Sequence, residues 1–447
     1  MIAFASLFLG LIVGPEPVEL LVDEAVARVE IRLDDRLVGE LSGEPWSIVC
    51  DFGEALEPHE LIAVAYDHGR RELGRARQWV NLPRSPAEAS LMLEGGERGR
   101  GVTARLSWQS VVATEPVSIE VSFDGRPLTV KDPRRIPLPA HDPEQLHFFR
   151  AELDFSANVT TVLETVFGGS YGDRLNVQLT AVPLVLERGA ELPDLSQLRG
   201  RLHTEGRALR VVAAEEGPAE IVVVRDEAIR PILDRIGRTS DKTLRQRARV
   251  GFKSQAARSL RFRMALPKDH LIRFVWPFSQ RQPQARPAFD VLIPSQAFTA
   301  QDGGLYWLLT EFSPPAGVGP DPRLADAVAV AGLLAAGRNR RRAVVLVTGR
   351  AVDDTSLFRP EAVRHYLESL RVPLFVWSPE PETQPASRTR RSPWGPVTDI
   401  SSLNKLEQAV RELVQRLDRH RIVWVEGVHA PAAVTLAGAE DGMRLAP

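Results

Sequence analysis

Between residues 15 and 188, hydrophobic and polar residues alternate with the period of two that is typical of half-buried β-strands. In the segment 28–33, for example, every second residue is aliphatic and its neighbours are charged. A proline-containing linker at 81–86 interrupts the pattern, because proline removes a hydrogen-bond donor from a strand. The pattern therefore predicts two antiparallel Ig-like β-sandwiches, at 15–84 and 85–188.

Beyond residue 217 the pattern changes to short, uninterrupted hydrophobic runs, which are typical of strands buried on both faces. Segments of helical period lie between them, at 325–336, 360–370 and 402–417. Alternating strands and helices predict a doubly wound, mostly parallel α/β domain over 217–427, whose last strand is the run 422–425. Residues 430–447 show no clear period and are predicted to form a loose tail.

Length and composition limit the possible functions. A chain of 447 residues, at roughly 150 per domain, is long enough for about three domains. The 56 basic and 58 acidic residues give a net charge of −2, so no global field attracts nucleic acid. The single cysteine, Cys50, excludes an intrachain disulfide and a thiolate zinc site. The sequence predicts no cofactor, no metal and no nucleic-acid partner.

Residues 1–14 form an uncharged apolar run that is too short to cross about 30 Å of hydrocarbon as a helix. Such a run is typical of the hydrophobic region of a signal peptide, although neither Lys nor Arg precedes Arg28. The alternative is a first β-strand of the following sandwich. We expect a signal peptide, a secreted or periplasmic protein, and no membrane span.

Two stretches resemble known families. In the first region, ARVEIRLDDRLVGEL, PWSIVCDFG and HELIAVAYDHGRREL resemble the strands of bacterial Ig-like modules. In the third, PDPRLADAVAVAGLL and RRAVVLVTGRAVDDTS resemble the von Willebrand factor type A (VWA) domain of bacterial VWFA-related proteins, over about 217–427. The second resemblance implies contact with a protein partner, which the sequence does not identify.

The type A resemblance also implies a Mg²⁺ site at the carboxyl ends of the strands, where hard oxygen ligands are required. This chain departs from the pattern in all three ligand loops. If Asp226 takes the position of the first aspartate, Ala228 and Arg230 stand where two hydroxyl groups belong, and a shift by one residue would place Arg225 on the metal. Asp321 lies between prolines in place of a threonine loop, and Gly349 replaces the last aspartate. We therefore predict a domain without an intact metal site.

Arginines accompany the lost ligands, and a guanidinium would repel Mg²⁺ at this position. We expect Arg225 or Arg350 to lie near the vacated cation position and to pair with Asp226 or Asp326. The alternative is that these arginines only cap surface loops. The rim of the vestigial site is predicted as the binding surface of a non-enzymatic interaction or scaffold protein.

Three further features of the sequence bear on function. Ser170 lies in a G-x-S-x-G pattern, but strand-like segments flank it on both sides, so a hairpin turn is favoured over a hydrolase elbow. A serine hydrolase centred on Ser170 is the alternative function, and an intracellular scaffold is another. Arg245, Arg247 and Arg249 form a basic patch that suits an anionic partner or a solvated surface. Trp394, in the loop 379–396, is either an exposed anchor or packs back on the sheet.

Overall fold

The computed structural model describes the whole chain except residues 1, 7, 9, 24, 83–86, 95–101, 111, 112, 114, 143, 144, 146, 157, 158, 168–178, 193, 237–265, 268, 282–289, 293, 300–304, 306–308, 310, 311, 338, 339, 350–353, 381–391, 428, 439–441 and 447. The chain divides into two compact units: Met1–Pro83, Leu179–Arg281 and Asp290–Pro447 form the large unit, and Arg84–Gln178 with Gln282–Phe289 form the small unit. Among the described residues, strands account for far more of the chain than helices, so this part of the protein is mostly β.

The first region of the large unit is a β-sandwich of two sheets, with strand orders β1-β2-β5 and β4-β3-β6-β7. The strands are β1 (Ile2–Phe4), β2 (Pro15–Val22), β3 (Arg28–Leu33), β4 (Arg36–Leu41), β5 (Ser47–Asp51), β6 (His59–Tyr66) and β7 (Glu72–Val80). Alternate residues such as Val18, Ile31 and Cys50 point inward and form the core. Asp34 and Asp35 both have positive φ, which suits the tight turn between β3 and β4. The predicted sandwich is confirmed.

The described residues among the first twelve belong to this sandwich in the structure. Strand β1 pairs antiparallel with β2, with Ile2 opposite Val22, and Phe8 packs into the same core. The Asn81 side chain donates to the carbonyl of Ile12 at 2.8 Å and accepts from its N–H at 2.7 Å. This arrangement corresponds to the first-strand alternative for residues 1–14, while export stays a prediction.

The small unit is the second predicted sandwich, also confirmed, with sheets ordered β11-β10-β13-β14 and β12-β9-β8 around a core that includes Leu106, Phe149 and Leu153. Its strands are β8 (Ala87–Glu94), β9 (Thr103–Ser110), β10 (Ser118–Phe123), β11 (Arg126–Leu128), β12 (Ile136–Pro137), β13 (His147–Ser156) and β14 (Val159–Phe167). The predicted extent to residue 188 differs from the structure, because residues 179–186 belong to the large unit.

After the small unit the chain forms β15 (Leu179–Leu186), helix α1 (Leu195–Leu198), β16 (Leu202–Thr204), β17 (Arg207–Ala208) and β18 (Val211–Glu215). A six-stranded sheet follows, in the order β23-β20-β19-β25-β26-β27, and all its pairs are parallel except that of β23 with β20. Its strands are β19 (Ala219–Arg225), β20 (Leu271–Val275), β23 (Phe298–Thr299), β25 (Arg341–Val347), β26 (Leu374–Ser378) and β27 (Val397–Asp399). A smaller sheet contains β21 (Phe278–Arg281), β22 (Asp290–Val291) and β24 (Val318–Pro322).

Helices pack on both faces of the six-stranded sheet. The predicted helical segments are present as α2 (Leu324–Gly337), α3 (Pro360–Ser369) and α4 (Leu403–Leu417). Helix α4 covers one face, and α2 and α3 share the other with Leu56 and Leu82 of the first region. A Cβ at Gly332 of α2 would lie 2.6 Å from Leu367 Cδ1, so only glycine allows this approach of α3. None of the described helices is long and apolar enough to cross a membrane.

The end of the chain differs from the sequence prediction. Strand β28 (His420–Glu426), predicted to join the parallel sheet, instead pairs antiparallel with β15 and β18 in a separate four-stranded sheet. The predicted loose tail contains β29 (Thr435–Leu436), paired with β16, and β30 (Met443–Leu445), paired with β15. An apolar run by itself does not distinguish a parallel from an antiparallel partner, which explains the difference.

Candidate functional site

The candidate site lies at the carboxyl edge of the parallel sheet, where open α/β sheets bind ligands. Strands β19, β25 and β26 end there side by side, because they are neighbours in the sheet and run in the same direction. The loops that follow them carry Asp226, Gly349 and Glu380. Two of the three residues, Asp226 and Gly349, were predicted from sequence.

Asp226 is a buried carboxylate with one uncommitted oxygen. Its side chain is almost wholly covered, at 6% exposure. Oδ1 accepts a hydrogen bond from the Ala228 N–H at 2.9 Å, and the Asp226 N–H donates to the carbonyl of Val347 at 2.9 Å. Within the part of the chain that the structure describes, Oδ2 has no hydrogen-bond partner. Among the site residues predicted from sequence and described at this edge, Asp226 is the one with a buried polar atom that lacks a hydrogen bond.

The electrostatic environment disfavours the ionised form of Asp226. Burial raises the pKa of this carboxyl group above its usual value, the N–H groups of Ala228 and Gly349 lower the pKa, and the nearby carboxylates of Glu380 and Asp354 raise it. The balance is a raised pKa, because the two amides do not compensate for lost water and like charge.

Gly349 leaves room between two carboxylates. A Cβ at this position would lie 3.7 Å from Asp226 Oδ2, 3.3 Å from Glu380 Oε2 and 3.0 Å from Ile229 Cγ2. The contact with Ile229 is tighter than ordinary van der Waals packing, so a larger residue here would displace its neighbours. The absence of an aspartate at position 349 is therefore accompanied by packing that suits glycine.

Arg225 differs from the prediction. It is fully buried and its guanidinium pairs with Glu227, with Nε 3.0 Å from Oε1, where the sequence predicted Asp226 or Asp326 as the partner. It also donates to the carbonyls of Leu309 and Phe312. The reason is local, because the short 3-10 turn Glu227–Ile229 brings the Glu227 side chain back over the end of β19.

A pair of aspartates holds the loop that carries Leu357. Asp326 accepts from the backbone N–H groups of Leu357 and Phe358, each at 3.1 Å, and also from Arg323. Asp354 accepts from the first two N–H groups of α2 at 2.8 and 3.1 Å, and so caps this helix from another part of the chain. The braced loop presents Leu357 with 69% of its surface exposed.

The other predicted residues are placed as follows. Ala228 lies in the 3-10 turn and Arg230 is the residue at its C-terminal end. The guanidinium of Arg230 lies 3.9 Å from the carboxylate of Glu227. Asp321 is exposed on β24. Trp394 is buried at 7% exposure and packs with α2 and α3, so it is no exposed anchor. The predicted positions that lie outside the described residues are Arg350, Ser170, Arg245, Arg247 and Arg249.

The described residues do not fit the Mg²⁺ site that the resemblance implies. A methyl group and a guanidinium replace two ligand hydroxyls, at Ala228 and Arg230, and Gly349 supplies no carboxylate. No group of three or more His, Cys, Asp or Glu side chains in the described ranges is arranged to hold a metal ion. Asp226 Oδ1 is already engaged by a backbone amide.

Replacing Asp226 with asparagine is expected to stabilise the protein by about 1 kcal/mol at pH 7, because the neutral amide does not have the desolvation cost of the charge. A raised pKa in the folded state means that the wild-type carboxyl costs stability at high pH and loses that cost on protonation. The difference between Asp226→Asn and wild type should therefore shrink as pH falls towards 4. Urea unfolding at several pH values measures it. Asp321→Asn, on the exposed strand, is the control and should change stability by less than about 0.5 kcal/mol.

The sequence did not predict the pairing of Glu227 with Arg225, the position of Glu380, the brace formed by Asp326 and Asp354, or the exposure of Leu357. The sequence did contain one indication of the external cap: position 323, directly before α2, is not Ser, Thr, Asp or Asn, so the helix lacks a capping residue of its own. The first N–H groups of α2 therefore need an acceptor from another loop, which Asp354 supplies. The position of Glu380 also follows from the rule that parallel strands end at one edge.

Comparisons with known proteins give limited likenesses. No protein-family model and no curated protein matches this chain. Fibronectin(III)-like modules of Clostridium thermocellum CbhA match 18% of this chain and 93% of theirs, at 15% identity and a TM-score of 0.16. The central fibronectin-III array of RIM-binding protein matches 40% of this chain and 77% of its own, at 10% identity and a TM-score of 0.21.

Proximal thread matrix protein 1 from the mussel byssus matches 47% of this chain and 48% of its own, at 15% identity and a TM-score of 0.28. The first two structures are of fibronectin-III-like modules. At these TM-scores the likenesses carry no argument about activity.

Proposed function

We propose that this protein is an exported, non-enzymatic interaction protein, in which a VWA-like α/β domain binds a protein partner at the carboxyl edge of its sheet without a metal ion. The β-sandwich modules are of a kind that suits an interaction protein. A mostly parallel sheet with helices on both faces supports the type A assignment, since the resemblance implies that architecture.

The exposed side chain of Leu357 carries this proposal. A large aliphatic residue with 69% of its surface in solvent normally gains nothing for the folded state. Here, however, its backbone is fixed by Asp326, while Asp354 fixes the start of the same loop and the start of α2. Because the backbone that carries Leu357 is already fixed, binding would cost little backbone entropy, which makes this side chain a suitable anchor for a partner.

The test uses the full chain as bait for quantitative capture of partners, with Leu357→Ser beside wild type. We expect at least one protein to be retained by wild type, in the presence or absence of EDTA, and lost with Leu357→Ser. Leu21→Ser is the matched control, because Leu21 is 57% exposed but lies on β2 of the first sandwich. Capture that depends on Mg²⁺, or that is as strong for Leu357→Ser as for Leu21→Ser, would contradict the proposal.

Export is tested separately by sequencing the mature N-terminus. A start near residue 15 supports a cleaved signal peptide. A start at residue 1 or 2 supports the alternative, in which β1 is retained and pairs with β2 as in the structure.

A further inference from the structure

At the opposite, N-terminal edge of the parallel sheet, two histidines are buried with an uncommitted ring nitrogen each. His420 opens strand β28 and is 5% exposed, and its Nδ1 has no hydrogen-bond partner within the described residues. His270 immediately precedes β20 and is 2% exposed, and its Nε2 likewise has no hydrogen-bond partner among the described residues. Neither residue belongs to the interaction site proposed above.

Arg341 links the two histidines to the surrounding elements. It is the first residue of β25, and its guanidinium donates to the carbonyl of Gly217 at 2.6 Å and to that of Leu417 at 3.0 Å. It also lies 3.8 Å from the carboxylate of Asp418. Arg341 thus joins the start of the parallel sheet to the end of α4, three residues before β28 begins.

The charges around His420 are mostly positive. Arg421 follows it and donates to the carbonyl of His420 at 2.8 Å, and Arg419 precedes it. Arg341 and Arg342 begin β25, which contacts β28, and their charges act on the His420 ring together with those of Arg416 and Arg419. Asp418 lies in the turn before β28, and Glu216 lies close to Arg421, 3.1 Å from its guanidinium. His270 is faced by Arg341, Asp269 and Asp418.

We propose that this edge is an acid-sensitive latch, in which protonation places a positive charge on the buried ring of His420, beside the arginines of β25 and β28, and loosens the start of β28 where it contacts β25. Strand β28 is the central connection of its own sheet, since it pairs with both β15 and β18. Opening at His420 therefore loosens the sheet that also holds the chain end through β30.

The direction of the effect follows from the buried neutral ring. Burial, followed by the four arginines, lowers the pKa of His420 to about 4, and burial also lowers the pKa of His270. A histidine with a lowered pKa in the folded state contributes its full stability above its ordinary pKa of about 6.5. That contribution is lost as pH falls from about 6.5 towards 4.

Amide hydrogen exchange of β28 in the full chain tests the latch. After correction for intrinsic exchange, the opening constant of residues 422–425 should rise roughly 20-fold between pH 7.5 and pH 5. In His420→Leu the opening constant should increase only a few-fold over the same pH range, because only the protonation of His270 then contributes. The control His68→Leu removes an exposed histidine and should keep the wild-type pH dependence.

A second measurement does not require a variant that folds. The ring of His420 in wild-type protein with isotope-labelled histidine should stay neutral at pH 5 by NMR. A titration midpoint of His420 near 6.5, or exchange of β28 that does not change between pH 7.5 and pH 5, would overturn the proposal.

Discussion

Replacing Arg342 with leucine is expected to destabilise the large unit by about 3–5 kcal/mol, because it leaves buried backbone carbonyls without donors. The Arg342 side chain is among the largest fully buried ones in the protein. Its guanidinium donates to the carbonyls of Ala336 and Leu370 at 3.0 Å each, and to that of Arg371 at 3.4 Å. These carbonyls lie at the C-terminal ends of α2 and α3, where a positive charge is favoured.

The charge of Arg342 persists at neutral pH. Burial, together with the charge of Arg371, lowers the pKa of Arg342 to about 10. Leucine would fill part of the volume but donate no hydrogen bond, whereas Arg342→Lys keeps one donor group and should cost less than Arg342→Leu. Urea unfolding followed by circular dichroism measures the difference in free energy.

Arg411→Leu is the matched control, since Arg411 is exposed on α4 and its loss should change stability by less than about 0.5 kcal/mol. Equal stabilities for Arg342→Leu and Arg411→Leu would show that the carbonyls find other donors.

The architecture of this protein was largely accessible from hydrophobic periodicity. The period of two between residues 15 and 167 follows from sandwiches with one buried and one exposed face per strand. Helix α4 lies within the predicted helical segment 402–417, and Ser402 caps it. Strand pairing was less accessible. The run 422–425 is as apolar as the strands of the parallel sheet, and only its partners β15 and β18 distinguish it.

The basic turn before β25 shows a second limit. A run of arginines in a sequence is usually solvated, which would place Arg341 and Arg342 on the surface. In the structure both are buried, and they satisfy carbonyls from loops and helix ends far away in sequence. Periodicity cannot reveal such contacts, because the acceptors are backbone atoms, which every residue carries.

At the candidate site, the location of two residues follows from the sequence, whereas the ion pairing does not. Asp226 and Gly349 lie at the edge where the parallel strands end, as the order of strands and loops required. The partner of Arg225 was missed, because the choice between Asp226 and Glu227 depends on a single 3-10 turn. A shift of one residue along the chain therefore decides which carboxylate is neutralised and which is left without a cation.

Replacing Arg225 with methionine is expected to destabilise the large unit by about 3 kcal/mol, because a buried ion pair loses one partner. The side chain of Arg225 is fully covered and that of Glu227 is 17% exposed, so the carboxylate would remain partly desolvated. The carbonyls of Leu309 and Phe312 would lose a donor as well. The stacking of the guanidinium over Trp276, at 5.4 Å from the ring centre, would also be lost.

Arg230→Met supplies the matched control, because Arg230 approaches the same carboxylate at 3.9 Å from a position that is 31% exposed. Its loss should cost less than about 1 kcal/mol, as is usual for an exposed pair. Combining Arg225→Met with Glu227→Gln should recover about 1 kcal/mol, since the double variant no longer leaves a charge unpaired. If Arg225→Met were no more destabilising than Arg230→Met in urea unfolding, the buried pair would not be what fixes the loop that carries Asp226.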